Sequence, residues 1–82
     1  MPDQIKADFS SLVLSIASSA AMSLGLAPDQ ETGKTQINKN MAKFNIDLLM
    51  MLQDKTKANL TEDESHLIVS LIQDLQARFI QI

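Results

Sequence analysis

Apolar residues recur at helical spacing in three stretches of this chain, and the first stretch differs from the other two. Residues 9–26, FSSLVLSIASSAAMSLGL, contain no charged residue and consist mainly of Ser, Ala, Leu, Ile and Val. The later stretches carry charged residues between apolar positions three or four residues apart, which is typical of amphipathic helices. The pattern predicts an all-α fold of three helices, the first of which must be covered on most sides.

Signals at the ends of these stretches set the expected boundaries. Asp8 is a suitable N-cap for the first helix, Gly25 is a suitable C-cap, and Thr32-Gly33 indicates a turn. We predict one helical domain over residues 1–82, with helices over about 8–25, 38–58 and 62–81 and a loop over 26–37.

The clearest local signal joins the second and third helices. Thr61 and Glu64 have the spacing of a capping box, and Asn59 is a residue type that tolerates the left-handed conformation at a helix end. Because the connection is short, we expect these helices to form an antiparallel hairpin, with the first helix packed along it.

Each helix has one main apolar stripe, which we expect to face the core. In the first helix it comprises Phe9, Leu12, Val13, Ile16, Ala20 and Leu24. In the second it comprises Ile37, Met41, Phe44, Leu48, Met51 and Leu52. In the third it comprises Ile68, Leu71, Ile72, Leu75, Phe79 and Ile82.

Apolar and small residues also occur outside these stripes, although a three-helix monomer offers each helix only two neighbours. Small residues every four positions in the first helix allow close contact between helix backbones. We therefore predict a homo-oligomer, most simply a dimer, in which the first helices of two chains meet or exchange. The candidate interface comprises Ser15, Ala17, Ser19, Ala21, Ile46, Met50, Val69 and Ile80.

The charges are unevenly distributed around a net charge of −3. Residues 1–33 and 58–82 are acidic, and residues 34–57 are basic. The acidic thirds and the lack of Trp and Tyr argue against nucleic acid as a partner. The absence of Cys excludes disulfides and thiolate chemistry and suits a reducing cytoplasm.

No set of residues indicates catalysis, a cofactor or a metal. Gly33-Lys34-Thr35 resembles the end of a phosphate-binding loop, but Pro28 stands where that motif requires Gly, and the preceding stretch is helical. Glu62 and His66 share one face of a helix, but two ligands on an exposed first turn bind a metal weakly. We interpret both features as solvated surface and expect no enzyme.

The first stretch has about the minimum length for a membrane span. Its six Ser residues lower its hydrophobicity, and it lacks an aromatic belt and a basic flank. A buried helix is the favoured interpretation, and a membrane anchor through this helix remains the alternative.

The run FSSLVLSIASSAAMSLGL, followed by PDQETGK, IDLLMML, KTKANLTEDE and LIQDLQARF, resembles a small bacterial family known as domain of unknown function 1844. The resemblance covers Phe9 to Phe79 without insertions. The family favours Gly where this chain has Ala58, an acidic residue at Met50 and Tyr at Phe79. Because Ala58 replaces this Gly, we expect Asn59 to end the helix instead. The resemblance implies a helical bacterial protein without an assigned activity.

We therefore expect a non-enzymatic structural or protein-interaction module of the bacterial cytoplasm that self-associates and has no cofactor. An unidentified protein partner is compatible with this role. Two alternatives are a membrane-associated protein anchored through the first helix and a nucleic-acid accessory protein that uses the basic second helix, with Lys39 and Lys43 on phosphate.

Overall fold

The computed structural model describes residues 7–29 and 31–82. It contains three helices: α1 (Phe9–Ser23), α2 (Lys39–Lys55) and α3 (Glu62–Phe79). The predicted all-α class and the order of three helices are confirmed. Part of the predicted loop and the first six residues lie outside the described residues.

The helices begin where the sequence predicts, because the predicted side chains cap them. Asp8 Oδ1 accepts a hydrogen bond from the Ser11 N–H at 2.8 Å, and Asn38 caps α2 in the same way. At α3, Thr61 Oγ1 accepts from the Glu64 N–H, and Glu64 Oε1 accepts from the Thr61 N–H. Each cap satisfies backbone donors that have no partner inside the helix.

Gly25 ends α1 in a left-handed conformation, with φ of 78°. The Gly25 N–H donates to the Met22 carbonyl at 3.1 Å, and the Leu26 N–H donates to the Ala21 carbonyl at 2.9 Å. This pair of bonds is the Schellman motif. A Cβ at Gly25 would lie 2.9 Å from Ile37 Cγ1, so both the conformation and the space favour glycine here.

The loop after α1 is tied at its base to the start of α2. Leu24 and Ile37 form an isolated antiparallel bridge, and the Asn38 N–H donates to the Ser23 carbonyl at 2.8 Å. These bonds bring the beginning of α2 beside the end of α1 within one chain. α1 packs more extensively on α2 than on α3.

The end of α2 differs from the prediction. The helix ends at Lys55, and the left-handed residue is Ala58, with φ of 68°, rather than Asn59. The Thr56 side chain donates to the Leu52 carbonyl at 2.6 Å and satisfies an acceptor of the last turn. The chain therefore reverses one residue earlier than expected, at the position where the resembling family favours Gly.

Among the residues that the structure describes, ten buried apolar residues from all three helices and the residue after α1 build the core. They are Val13, Ala17, Ala20, Leu24, Ala42, Ile46, Leu49, Ile68, Ile72 and Leu75. Ile68, Ile72 and Leu75 of the predicted α3 stripe are buried in the core, as expected. Most of the predicted stripe of α2, in contrast, lies outside the core.

The three helices form a flat body. Its Cα atoms extend over 36 × 34 × 15 Å, with a radius of gyration of 13.3 Å. A compact chain of this length has a radius of gyration of roughly 12 Å. Because the body is thin, α2 packs on both neighbouring helices and still exposes apolar residues.

Candidate interaction surface

A row of large apolar side chains begins at Ile37, two residues before α2, and runs along this helix. We name this row the α2 stripe; it comprises Ile37, Met41, Phe44, Leu48 and Met51. Their exposed fractions are 62% for Ile37, 45% for Met41, 54% for Phe44 and 43% for Met51, and Leu48 is half-buried. These are five of the six residues that the sequence pattern placed toward the core, and for them that prediction is wrong. The sixth, Leu52, is half-buried and packs against the core.

The buried face of α2 is built from smaller or shorter residues. Ala42 and Leu49 are fully buried, and Asn45 and Ile46 are 5% exposed. The Asn45 amide donates to the Met41 carbonyl at 3.0 Å, which allows a polar side chain to lie among apolar ones. The small residues of this face allow α1 to approach closely, and the larger side chains of α2 are left outside.

The edge of α1 that lies beside α2 continues this surface. Ser19 and Ser23 line a depression of about 280 Å³ together with Met41 and Asn45. Leu12 lies two turns before Ser19 on the same face of α1 and is 47% exposed. The α2 stripe is therefore bordered on one side by serines and by a further exposed leucine.

A second apolar surface lies between α2 and α3 and is named the α2–α3 groove. One part of it, about 350 Å³ toward the end of α3, is lined by Ile46, Met50, Phe79 and Ile80 among others. Gln76 Nε2 donates to Met50 Sδ at 3.4 Å and bridges the two helices. The other part of the groove, about 640 Å³ toward the α2–α3 connection, is lined by Met50, Lys57, Ala58 and Ser65 among others.

The predicted interface residues do not form one surface. Ile46, Met50 and Ile80 meet in the α2–α3 groove, and Ser19 lies beside the α2 stripe. Ala17 is 7% exposed and belongs to the core, and Ile46, which we predicted to lie outside the core-facing stripe of α2, is also a core residue. Ser15 is exposed, and Ala21 and Val69 are half-buried. Sequence reasoning missed the α2 stripe as a surface because the helical spacing of its apolar residues indicated a core face.

The loop that resembles a phosphate-binding loop is a closed turn organised by Asp29. Asp29 Oδ1 accepts from the Glu31 N–H at 2.7 Å, and the Asp29 carbonyl accepts from the Gly33 N–H at 2.7 Å. Gly33 is left-handed, with φ of 71°, which confirms the predicted turn. The element before this turn is α1, and Lys34 is exposed.

Two pairs of oppositely charged side chains, one on α2 and one on α3, lie on the surface one helical turn apart. Lys43 Nζ lies 2.8 Å from Asp47 Oδ2, and Arg78 Nε lies 3.2 Å from Asp74 Oδ2. His66 is exposed in the first half of α3. Within residues 7–29 and 31–82, no three His, Asp or Glu side chains are grouped closely enough to hold a metal ion.

None of the helices in the part of the chain that the structure describes is long and apolar enough to cross a membrane. α1, the stretch considered as an anchor, has 15 residues.

The fold and its surfaces define a small all-α protein whose apolar residues are divided between a core and an exposed row. The family model described as Domain of unknown function (DUF1844) matches residues 6–81, and the chain belongs to this family. No curated protein and no solved structure matches the chain.

Proposed function

We propose that this protein is a non-enzymatic helical interaction module that self-associates by covering the α2 stripe. The scaffold is the predicted antiparallel hairpin of α2 and α3 with α1 packed on it. The lining of the α2–α3 groove supports the antiparallel hairpin. Ile46 and Met50, in the middle of α2, line it beside the end of α3, whereas Lys57, after α2, lines it beside Ser65 near the beginning of α3.

The exposure of the α2 stripe carries the proposal. Four of its five side chains expose more than two fifths of their surface, although the described part of the chain contributes ten buried apolar residues to the core. Contiguous apolar surface of this kind on a small protein is typical of an interaction site. A chain of this size also buries a modest share of its surface when alone, so association would add a substantial part of its stability.

The charged groups support a role without catalysis. Lys43, Asp47, Asp74 and Arg78 form exposed pairs one turn apart, which is the arrangement of a solvated helix surface. A bacterial cytoplasmic location suits a chain without Cys.

Two neighbouring methionines provide a matched test of the interface. Met50 and Met51 are both 43% exposed on α2, but Met51 belongs to the α2 stripe and Met50 to the α2–α3 groove. We expect the native chain to be oligomeric by light scattering at micromolar concentration. Met51→Glu should shift it to monomer without loss of helicity in circular dichroism, because a charge would be desolvated at the interface.

Met50→Glu is the control and should leave the assembly intact. The opposite result, loss of assembly with Met50→Glu alone, would place the interface in the α2–α3 groove. A native chain that is monomeric and fully helical at high micromolar concentration would overturn self-association itself.

A further inference from the structure

When Lys55 is added to the α2 stripe, the spacing of its positions is the same from either end. Together with Lys55, the last residue of α2, its positions are separated by four, three, four, three and four residues. This is the alternation of a and d positions in a heptad repeat. Phe44 and Met51 occupy d positions, and Met41 and Leu48 occupy a positions; Ile37 continues the spacing from the bridge that precedes α2.

We propose that a second copy of this chain covers the α2 stripe and that the two α2 helices run antiparallel about a two-fold axis between Phe44 and Leu48. The inference rests on the proposed self-association and adds the partner and its direction. Each a position then lies beside a d position of the other copy. Phe44 packs on the partner's Leu48, and Met41 packs on the partner's Met51.

The charges at the two ends of the stripe favour this direction. Lys55 is exposed at the C-terminal end of the stripe. At the other end, Asp29 lines the depression that contains Met41, and the loop there carries Glu31 as well against the single cation Lys34. An antiparallel pair brings each Lys55 to the acidic loop of its partner, whereas a parallel pair brings the two lysines together. The antiparallel arrangement also places the dipoles of the two α2 helices in opposite directions.

The area of the stripe is sufficient for a second copy. A large side chain has a surface on the order of 200 Å². Five such side chains at about half exposure offer roughly 500 Å² per protomer, or about 1,000 Å² for the pair, which reaches the size of a small specific interface. The exposed Leu12 and the aliphatic stem of Lys55 border the stripe and add to this area.

Cysteine cross-linking tests the direction, and the native chain has no Cys to interfere. Met41→Cys and Met51→Cys chains are purified separately, mixed and oxidised mildly. The antiparallel pair predicts that the disulfide-linked dimer forms mainly between the two different variants. A parallel pair predicts that each variant cross-links to itself, and this result would overturn the inference. Met50→Cys mixed with Met41→Cys is the control and should give at least ten-fold less linked dimer.

A charge exchange gives a second measurement that needs no cysteine. Lys55→Glu should weaken the dimer several-fold at low salt, and Glu31→Lys in the same chain should restore most of the affinity. Glu31 is chosen because Asp29 accepts backbone hydrogen bonds that hold the loop. Lys57→Glu, near the α2–α3 groove, should leave the dissociation constant within two-fold.

The outcomes separate the two proposals. If the native chain is monomeric by light scattering, self-association fails and the direction of α2 fails with it. If the native chain is a dimer but Met41→Cys and Met51→Cys do not link to each other, self-association stands and the antiparallel α2 pair is wrong.

Discussion

The two apolar faces of α2 show how a core and an exposed surface can arise on one helix. The buried face consists of Ala42, Asn45, Ile46 and Leu49, and the exposed one is the α2 stripe. The exposed face carries Met and Phe, which are larger than the Ala and Asn of the buried face. Hydrophobic periodicity identifies both faces as apolar, but the close packing of α1 selects the face with small residues as the core.

The largest expected effect on stability comes from truncating Leu49 on the buried face, compared with its neighbour Leu48 on the exposed face. Leu49 is fully buried and Leu48 is half-buried in the α2 stripe. Leu49→Ala should lower the free energy of unfolding by about 2–5 kcal/mol, because it leaves a cavity in the core. Leu48→Ala should cost clearly less. Urea denaturation in the Met51→Glu background measures both changes in the monomer.

Equal losses for the two leucines would contradict the division of α2 into a core face and an exposed face. A larger loss for Leu48→Ala would mean that the core lies on the face of α2 that the sequence pattern favoured.

The next effect tests the close approach of α1. Ala17 is 7% exposed in the core, and its neighbour Ser18 is exposed. Ala17→Leu should overpack the core and lower the free energy of unfolding by about 1–3 kcal/mol. Ser18→Leu is the matched control and should change stability little. Thermal unfolding by circular dichroism compares them, and a neutral Ala17→Leu would mean that this residue faces solvent.

The sequence was sufficient to predict the helices and the caps at their N-terminal ends because these depend on local chemistry. Asp8, Asn38 and the pair Thr61 and Glu64 each satisfy backbone N–H groups within three residues, so the spacing determines the outcome. The prediction for Gly25 was correct for the same reason. Local signals of this kind do not require knowledge of which helix packs on which.

The face of α2 that packs in the core could not be predicted from its own pattern. That choice depends on Ala17 and Ala20 of α1, which are buried beside α2, and on the hydrogen bond that satisfies Asn45. Asn45 reads as a surface residue in the sequence, because buried polar groups are uncommon without a partner. Because the α2 stripe was assigned to the core, the candidate interaction surface was not predicted either.

A smaller effect tests whether the side chain of Ile37, the first residue of the α2 stripe, is fixed in its position beside Gly25. Gly25 and Gly33 both have positive φ, but only a Cβ at Gly25 would meet Ile37, at 2.9 Å from its Cγ1. Gly33→Ala should cost about 1 kcal/mol through backbone strain alone. Gly25→Ala should cost about 1–2 kcal/mol because the side chain of Ile37 must also move. Equal costs from chemical denaturation would mean that Ile37 moves aside freely.

The smallest expected effect lies away from the α2 stripe and should be a gain. Ala58 is exposed and left-handed, with φ of 68°, at the position where the resembling family favours Gly. Ala58→Gly relieves this conformation and should raise the free energy of unfolding by about 0.5–1 kcal/mol, after the entropy of glycine in the unfolded chain is included. Asn59→Gly is the control and should not stabilise the chain. Because Ala58 borders the α2–α3 groove, the gain should appear without a change in the dissociation constant of the dimer. A dimer altered by Ala58→Gly would extend the interface to that groove and remove the distinction between the two surfaces of α2.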